Sequence, residues 1–372
     1  MKLSISRETL LKQLKHTQSI VEKRTSIAIL SNVRLKATNN LLEITATNND
    51  ITVQGSTEAF IEQEGVTTVS AHKIYEIINK IPEGVMVGIE LSNEGDRLAI
   101  VAGKAKFSLA CLNADAFPDM TRLDDGVTFD IETTDLRRLL SKALFAVSTE
   151  ETRQYLNGVY MHVAKTDKDE PSLRFVSTDG HRLARLEFKL PEGAAELAGV
   201  IIPRRTVIEL RRLAETCDTL KLTINEKKLQ AEAGDVTFTS KLIDGTFPDY
   251  ERVIPADNKK EMDVSRQALM QAVDRVSILS HEKSRSIKFG IHKDNLLISA
   301  NNPDQENALE EVKVEYDFDD LDVGFNAKYL SEIGGHIEGE DMLFYFKDNT
   351  SPVIVKDPED ASSLFVVMPM RI

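Results

Sequence analysis

The 372-residue sequence predicts an α+β chain of three similar domains, each with two helices packed on antiparallel sheets. Three observations lead there. An apolar pattern recurs three times at a spacing of about 130 residues. A second strand-to-helix signature follows it in each third. Short alternating stretches broken by turn residues lie between the two. At ~100 to 200 residues per domain the length itself asks for two to four cores.

The first signature reads L-S-I-S-R-E-T-L-L-K-Q-L from Leu3, F-D-I-E-T-T-D-L-R-R-L-L from Phe129 and M-D-V-S-R-Q-A-L-M-Q-A-V from Met262. Aligned, it gives apolar columns Leu3/Phe129/Met262, Ile5/Ile131/Val264, Leu10/Leu136/Leu269 and Leu14/Leu140/Val273. The first two columns are two residues apart, as on one face of a strand; the last two are four apart, as on one face of a helix. Ser6, Thr133 or Thr134, and Ser265 stand where N-caps belong. The second signature begins at Val69, Ile202 and Val323. Between the helices, L-L-E-I-T-A-T, L-R-F-V-S-T-D-G-H-R-L-A-R-L and K-L-Q-A-E-A-G-D-V-T-F-T-S alternate as antiparallel strands do. Gly103, Phe107 and Phe117-Pro118-Asp119 are echoed by Gly234, Phe238 and Phe247-Pro248-Asp249. Domain boundaries are expected near 125 and 257, giving domains 1–125, 126–257 and 258–372, with D-D-G and P-A-D-N-K-K as linkers.

Composition narrows the function. With 41% hydrophobic and 28% charged residues and no apolar run near ~18 residues, no membrane span is expected. The N-terminus reads as strand and helix rather than a leader, so a cytoplasmic location is expected. Cys111 and Cys217 have no neighbours at metal-ligand spacing; neither a disulfide nor a metal is expected, and both read as buried small hydrophobes. The net charge of −14 argues on its face against nucleic acid.

Seven stretches in order carry a resemblance: R-T-S-I-A-I-L-S-N from Arg24, Y-L-N-G from Tyr155, T-D-G-H-R-L-A from Thr178, F-T-S-K-L-I-D-G-T-F-P-D-Y from Phe238, A-N-N-P from Ala300, G-F-N from Gly324, and the terminal V-V-M-P-M-R-I. Together with the three-domain repeat they make the chain similar to the bacterial DNA sliding clamps, the beta subunit family of DNA polymerase III. The resemblance implies the DNA clamp fold, a head-to-tail homodimeric ring with helices lining the hole. It implies a non-catalytic processivity factor that encircles duplex DNA without reading sequence, is loaded by a separate clamp loader and tethers polymerase subunits and other proteins bearing a clamp-binding motif.

The same resemblance implies site residues. DNA-facing positions are Arg24, Arg153, Gln154, Tyr155 and Arg205; family members often have paired tyrosines where Gln154 precedes Tyr155 here. A partner-peptide pocket would take Leu156 from Y-L-N-G; Thr178, Gly180, His181, Arg182 and Leu183 from T-D-G-H-R-L; and Pro248, Arg252 and Val253 around F-P-D-Y. Asn326 and Tyr329 follow G-F, and Val366, Val367, Met368, Pro369, Met370 and Arg371 form the tail. Flexible Met368 and Met370 suit a site that serves several partners. Ser284, where the family commonly has a bulky residue, and Pro352 depart from its pattern. The ring interface would set Phe107 and Leu109 against Ile278 and Leu279, covering apolar sheet edges that would otherwise aggregate.

Charge distribution bears on this separately. Six segments expected to be helical (7–24, 73–80, 135–153, 203–215, 264–285 and 326–338) hold 20 Lys/Arg against 12 Asp/Glu, leaving −22 on the remainder. A basic lining inside an acidic shell favours enclosure of DNA over adhesion to it. Enzyme readings are weaker. Asp179 and His181, with Ser177 or Thr178 as nucleophile, form a turn sequence without a nucleophile elbow. No phosphate-cradling loop is present, and no cofactor is expected. The acidic pairs Asp124-Asp125, Glu150-Glu151 and Asp319-Asp320 fall in different domains. A protein-interaction scaffold that never encircles DNA stays open as the second reading.

Overall fold

In the computed structural model, which describes residues 1–22, 25–119, 123, 125–166 and 168–371, six α-helices run in the order α1 (Arg7–Gln18), α2 (Ala71–Lys80), α3 (Thr133–Leu144), α4 (Arg204–Leu213), α5 (Arg266–Ser277) and α6 (Ala327–Gly334). The odd-numbered helices follow directly on strands Lys2–Ser6, Val127–Glu132 and Lys260–Ser265. All three are 12 residues long. Every residue in the four aligned apolar columns is at most 3% exposed, and each such side chain contributes about 1.5–3 kcal/mol on burial. The repeat is therefore a repeat of the core.

Capping departs from expectation in two copies. Ser6 caps α1, its Oγ accepting from Thr9 N at 3.2 Å. Thr133 is instead the first residue of α3, and its hydroxyl donates to Cys217 O at 2.7 Å. Ser265 stands at the N-cap of α5 but makes no side-chain cap bond. Five helices also stop earlier than their segments, most of all α1 at Gln18, α3 at Leu144 and α5 at Ser277, and by less α4 at Leu213 and α6 at Gly334. After α3 the chain turns inward on buried Ala146, Val147 and Ser148, and Ser148 N donates to Leu156 O at 3.0 Å, closing a loop around the 3-10 turn Glu151–Leu156. Arg153 to Tyr155 thus lie on this 3-10 turn, not on α3.

The strands form two antiparallel sheets among the described residues. One, of 13 strands, belongs to a compact unit of residues 1–137, 191–198 and 205–242. In it, Val236–Lys241 from the middle third pairs with Ile51–Glu58 from the first, Ser240 opposite Ile51. The hairpins at Gly103 and Gly234 turn on left-handed backbone, φ 59° and 58°, which glycine adopts without a Cβ clash.

The other sheet, of 12 strands, belongs to a unit of residues 138–190, 199–204 and 243–372. There Arg182–Lys189 pairs with Asp360–Val367, Leu183 opposite Val366. Beside that seam Lys142 of α3 is buried against Asp360 at 2.9 Å, and both reach Glu338 or Arg138 at the surface. Burial pushes the Asp360 carboxyl up, but donation from Lys142, Ser362, Ser363 and Arg138 together outweighs it and holds the group well below the usual carboxylate range.

Both cysteines are free and only half-buried, not core residues as expected. Cys111 lies on strand Ala105–Leu112, where it pairs with Val69, and Cys217 in the turn after α4. Among the described residues no helix is long and apolar enough to cross a membrane.

Candidate functional site

The six helices carry 15 Lys/Arg against 6 Asp/Glu, a net of +9, so that −23 falls on everything else in a chain of −14. Trimming the helices to their observed ends sharpens the asymmetry. Of the expected DNA-facing residues, Arg24 lies outside the described residues. Arg153, Gln154 and Tyr155 are exposed on the turn Glu151–Leu156. Tyr155 leaves 40% of its surface to solvent, and Arg153 makes an exposed pair with Glu150 at 3.3 Å. Arg205, on α4, is tied to Glu22 and donates to Ile20 O at 2.7 Å, so part of its guanidinium is committed to the fold.

A cleft of about 240 Å³ opens in the unit that holds the second sheet. Nine expected residues line it: Leu156, Thr178, Gly180, Arg182, Leu183, Pro248, Val253, Val366 and Met368. Leu156, Leu183 and Val366 share one buried cluster with Val176, Phe247 and Tyr250, which makes the floor rigid and apolar. The period of two in strand Asp360–Val367 decides the tail: Val366 and Met368 face the cleft, whereas Val367 is fully buried on the other side.

Arg182 is the polar wall. It donates through Nε to Asp179 at 3.1 Å and through Nη2 to Phe145 O at 2.7 Å, and pairs with Glu332. Its guanidinium also lies 4.5 Å from the Tyr329 ring centroid, a fixed geometry that Lys would not reproduce.

The remaining expected residues surround the cleft without lining it. His181 stacks on Tyr329 with ring centroids 6.2 Å apart. Asn326 caps α6, accepting from Lys328 N at 2.9 Å. Arg252 is turned to solvent beside Asp249. Beyond Pro369, Met370 N donates to Gly324 O at 2.8 Å, strapping the tail to strand Leu321–Asn326, and Arg371 is exposed. Ser284 and Pro352 are also outside the wall; their carbonyls accept from Asn326 and Asn258. Tyr250 completes the lining and was not among the expected residues. It is the last letter of F-P-D-Y, and its position after Asp249 was the available signal.

Among the described residues, two strands leave long stretches unpaired on one side. Strand Ala105–Leu112 pairs along its length with Arg97–Ala102, but on its other side only Cys111 and Leu112 pair among the described residues. Phe107 and Leu109 lie there, beside a hollow of about 410 Å³ shared with Ile77 and Ile81. Strand Asn307–Glu315 likewise pairs fully with Asn295–Asn301 and on its other side only through Val314 and Glu315. Leu309 on it is 63% exposed, and Ile278, just past α5, is 76% exposed; Leu279 is half-buried.

The Asp179-His181 segment does not assemble an acid-base pair. Asp179 accepts from the backbone of His181 and Arg182 and from the Arg182 side chain. Ser177 and Thr178 donate to backbone carbonyls of Ala143 and Arg182.

Comparison with known proteins gives a consistent result. Domain models of the DNA polymerase III beta subunit match in chain order: the N-terminal domain over residues 1–121, the central domain over 130–249 and the C-terminal domain over 251–371. The beta sliding clamp of Caulobacter vibrioides NA1000 is 44% identical over 375 residues, and that of Escherichia coli K12 34% identical over 374, each covering 100% of both chains. A solved structure of Caulobacter crescentus pol III beta superposes with a TM-score of 0.96 at 43% identity, covering 100% of both chains. The Pseudomonas aeruginosa subunit does so with 0.95 at 37%, again over 100% of each.

Proposed function

This chain belongs to the DNA polymerase III beta subunit family of sliding clamps, non-catalytic processivity factors, and from that premise we propose how its surfaces divide the work. Domains 1–125, 126–257 and 258–372 each contribute two helices to the lining of a channel around duplex DNA. The concentration of positive charge on the helices is the observation that supports this most directly. Phosphates are drawn to the lining, while the acidic remainder keeps DNA off the outside. Arg24, Arg153, Gln154, Tyr155 and Arg205 make sequence-independent contacts, as sliding requires.

Two copies close the ring head to tail. The open edge of Ala105–Leu112 in one meets that of Asn307–Glu315 in the other, with Ile278 and Leu279 entering the hollow beside Phe107 and Leu109. Both edges are unpaired over most of their length, an arrangement that a soluble protein normally covers. Lys104 and Lys106 stand at the first edge and Glu310 and Glu311 on the second, opposite charges that favour this pairing over self-pairing of either edge.

The cleft takes a short apolar peptide from polymerases and other partners, and a separate ATP-driven loader opens the ring in the cytoplasm. On a primed circular template with loader and ATP, the protein is expected to lengthen the product made in each binding event of a replicative polymerase. Product lengths unchanged by its addition would refute the assignment.

A further inference from the structure

Behind the cleft lies a layer of polar groups that none of these roles uses. Tyr250 lines the cleft and is 5% exposed. Its hydroxyl lies 2.9 Å from His162 Nε2 and 3.2 Å from Arg174 Nη1. A guanidinium can only donate, so the phenol oxygen accepts from Arg174, and the one phenolic proton is left for His162. His162 must then be neutral with its own proton on Nδ1, where Val163 O accepts at 3.1 Å. Every bond in the set is satisfied by that single tautomer.

The groups are held in place from several elements. Arg174 also donates to Glu187 at 2.8 Å and to Lys165 O at 2.7 Å, and pairs with Glu251. Tyr160 stacks on His162 at 4.6 Å and on Phe247, itself in the cleft floor cluster, at 4.9 Å. The titratable and charged groups around the imidazole are thus Tyr160 on its own strand, Arg174 and Glu187 on the neighbouring strands, and Tyr250 and Glu251 on the turn Tyr250–Val253.

We propose that His162 is a positioning residue for the cleft: as the neutral imidazole it accepts the Tyr250 phenol proton, keeps the polar end of that ring out of the cleft, and so leaves only the ring to meet an apolar peptide side chain. The proposal rests on the reading of the cleft as a peptide site. Protonation of His162 removes the acceptor, because Nε2–H then points at an oxygen that already accepts from Arg174. The phenol proton must then leave His162 for the Glu251 carboxylate, the other acceptor beside it, and a second cation stands beside Arg174. Burial, with Arg174 adding to it, lowers the pKa of His162, so the neutral form prevails near neutral pH and the arrangement fails in acid. Burial pushes the Tyr250 phenol up to about 12, so the proton in question stays on the ring.

The test uses the full-length protein and a fluorescent, end-blocked hexapeptide with leucine and phenylalanine but no titratable side chain. Anisotropy gives its Kd between about pH 7.5 and pH 5, a range that spans the ordinary imidazole value. Affinity should fall in acid. At the upper pH, His162→Leu should weaken binding about five- to tenfold, as expected for a buried hydroxyl left without its acceptor. His162→Gln, whose amide oxygen accepts the proton without titrating, should stay within about twofold of the unmodified protein and bind independently of pH. In a Tyr250→Phe background, with no phenol proton to place, both the His162→Leu effect and the pH dependence should disappear.

Equal weakening by His162→Leu in both backgrounds, or a pH dependence that survives Tyr250→Phe, would overturn the proposal and reduce His162 to packing. Failure of the unmodified protein to bind the peptide would overturn the cleft reading and this proposal with it. Should a variant not fold, nitrogen chemical shifts of His162 in the unmodified protein decide the same point: a neutral ring protonated on Nδ1 is expected, and an Nε2–H tautomer contradicts it.

Discussion

Asp360→Asn tests the seam between strands Arg182–Lys189 and Asp360–Val367, on which the cleft is built. The substitution keeps the shape of the side chain, and its one oxygen can still accept from Ser362, but an amide nitrogen replaces the oxygen that accepts from Ser363 and Lys142, leaving Lys142 buried with only Glu338, 2.9 Å away and half in solvent. Breaking a buried pair by neutralising one partner costs about 3–5 kcal/mol. Because Glu338 compensates in part, the lower end, about 3 kcal/mol, is expected.

The chain has two compact units and need not unfold in one step, so the loss is best read locally. Hydrogen exchange in α3 and in strand Asp360–Val367 should quicken by about a hundredfold, at 1.4 kcal/mol per decade. The pH dependence has a defined sign. The folded carboxyl titrates below its unfolded value, so its stabilisation is fully present above about pH 4 and is lost as the pH falls through the lower folded value. The gap between unmodified protein and variant should therefore narrow in acid. Exchange unchanged within about threefold at neutral pH would refute a stabilising role for the buried pair.

Other consequences can be checked more briefly. Ile278→Lys combined with Leu279→Lys should yield a monomer by sedimentation that still binds the hexapeptide, because two ammonium groups would be buried unpaired at the interface; a stable dimer would place the interface elsewhere. Deleting residues 368–372 removes Met368 from the cleft wall and the Met370 strap. Peptide binding should fall below detection while the dimer persists, and undiminished affinity would remove the cleft assignment.

The apolar columns were fully legible in the sequence because a strand face and a helix face each repeat locally, as Leu3, Ile5, Leu10 and Leu14 do. Helix ends were not. Residues 19–22 and 145–150 keep the composition of helix, and what ends α3 is the burial of Ala146 to Ser148, a tertiary event. The pairing of Ile51–Glu58 with Val236–Lys241 joins segments far apart in the chain, with no turn between them to announce it. Nine cleft residues came from motifs whose role the family resemblance implied. Tyr250 was passed over because a tyrosine after a turn reads equally as core. The layer behind it was invisible for a stronger reason. An arginine at position 174 of an alternating strand reads as solvent-facing, and only the convergence of residues 162, 174, 187 and 251 makes it a buried, fully bonded group. Leu309 was likewise missed, since exposure on an open edge is decided by which strands do not pair.

The proposed hold on DNA is enclosure rather than adhesion. Its most direct test is retention on nicked circular DNA after loading with ATP and a clamp loader, before and after a single cut linearises the circle, in salt high enough to screen ordinary phosphate contacts. Retention on the circle and rapid loss from the linear form are expected. Equal behaviour on both would contradict enclosure and would favour a scaffold that binds partners without encircling DNA.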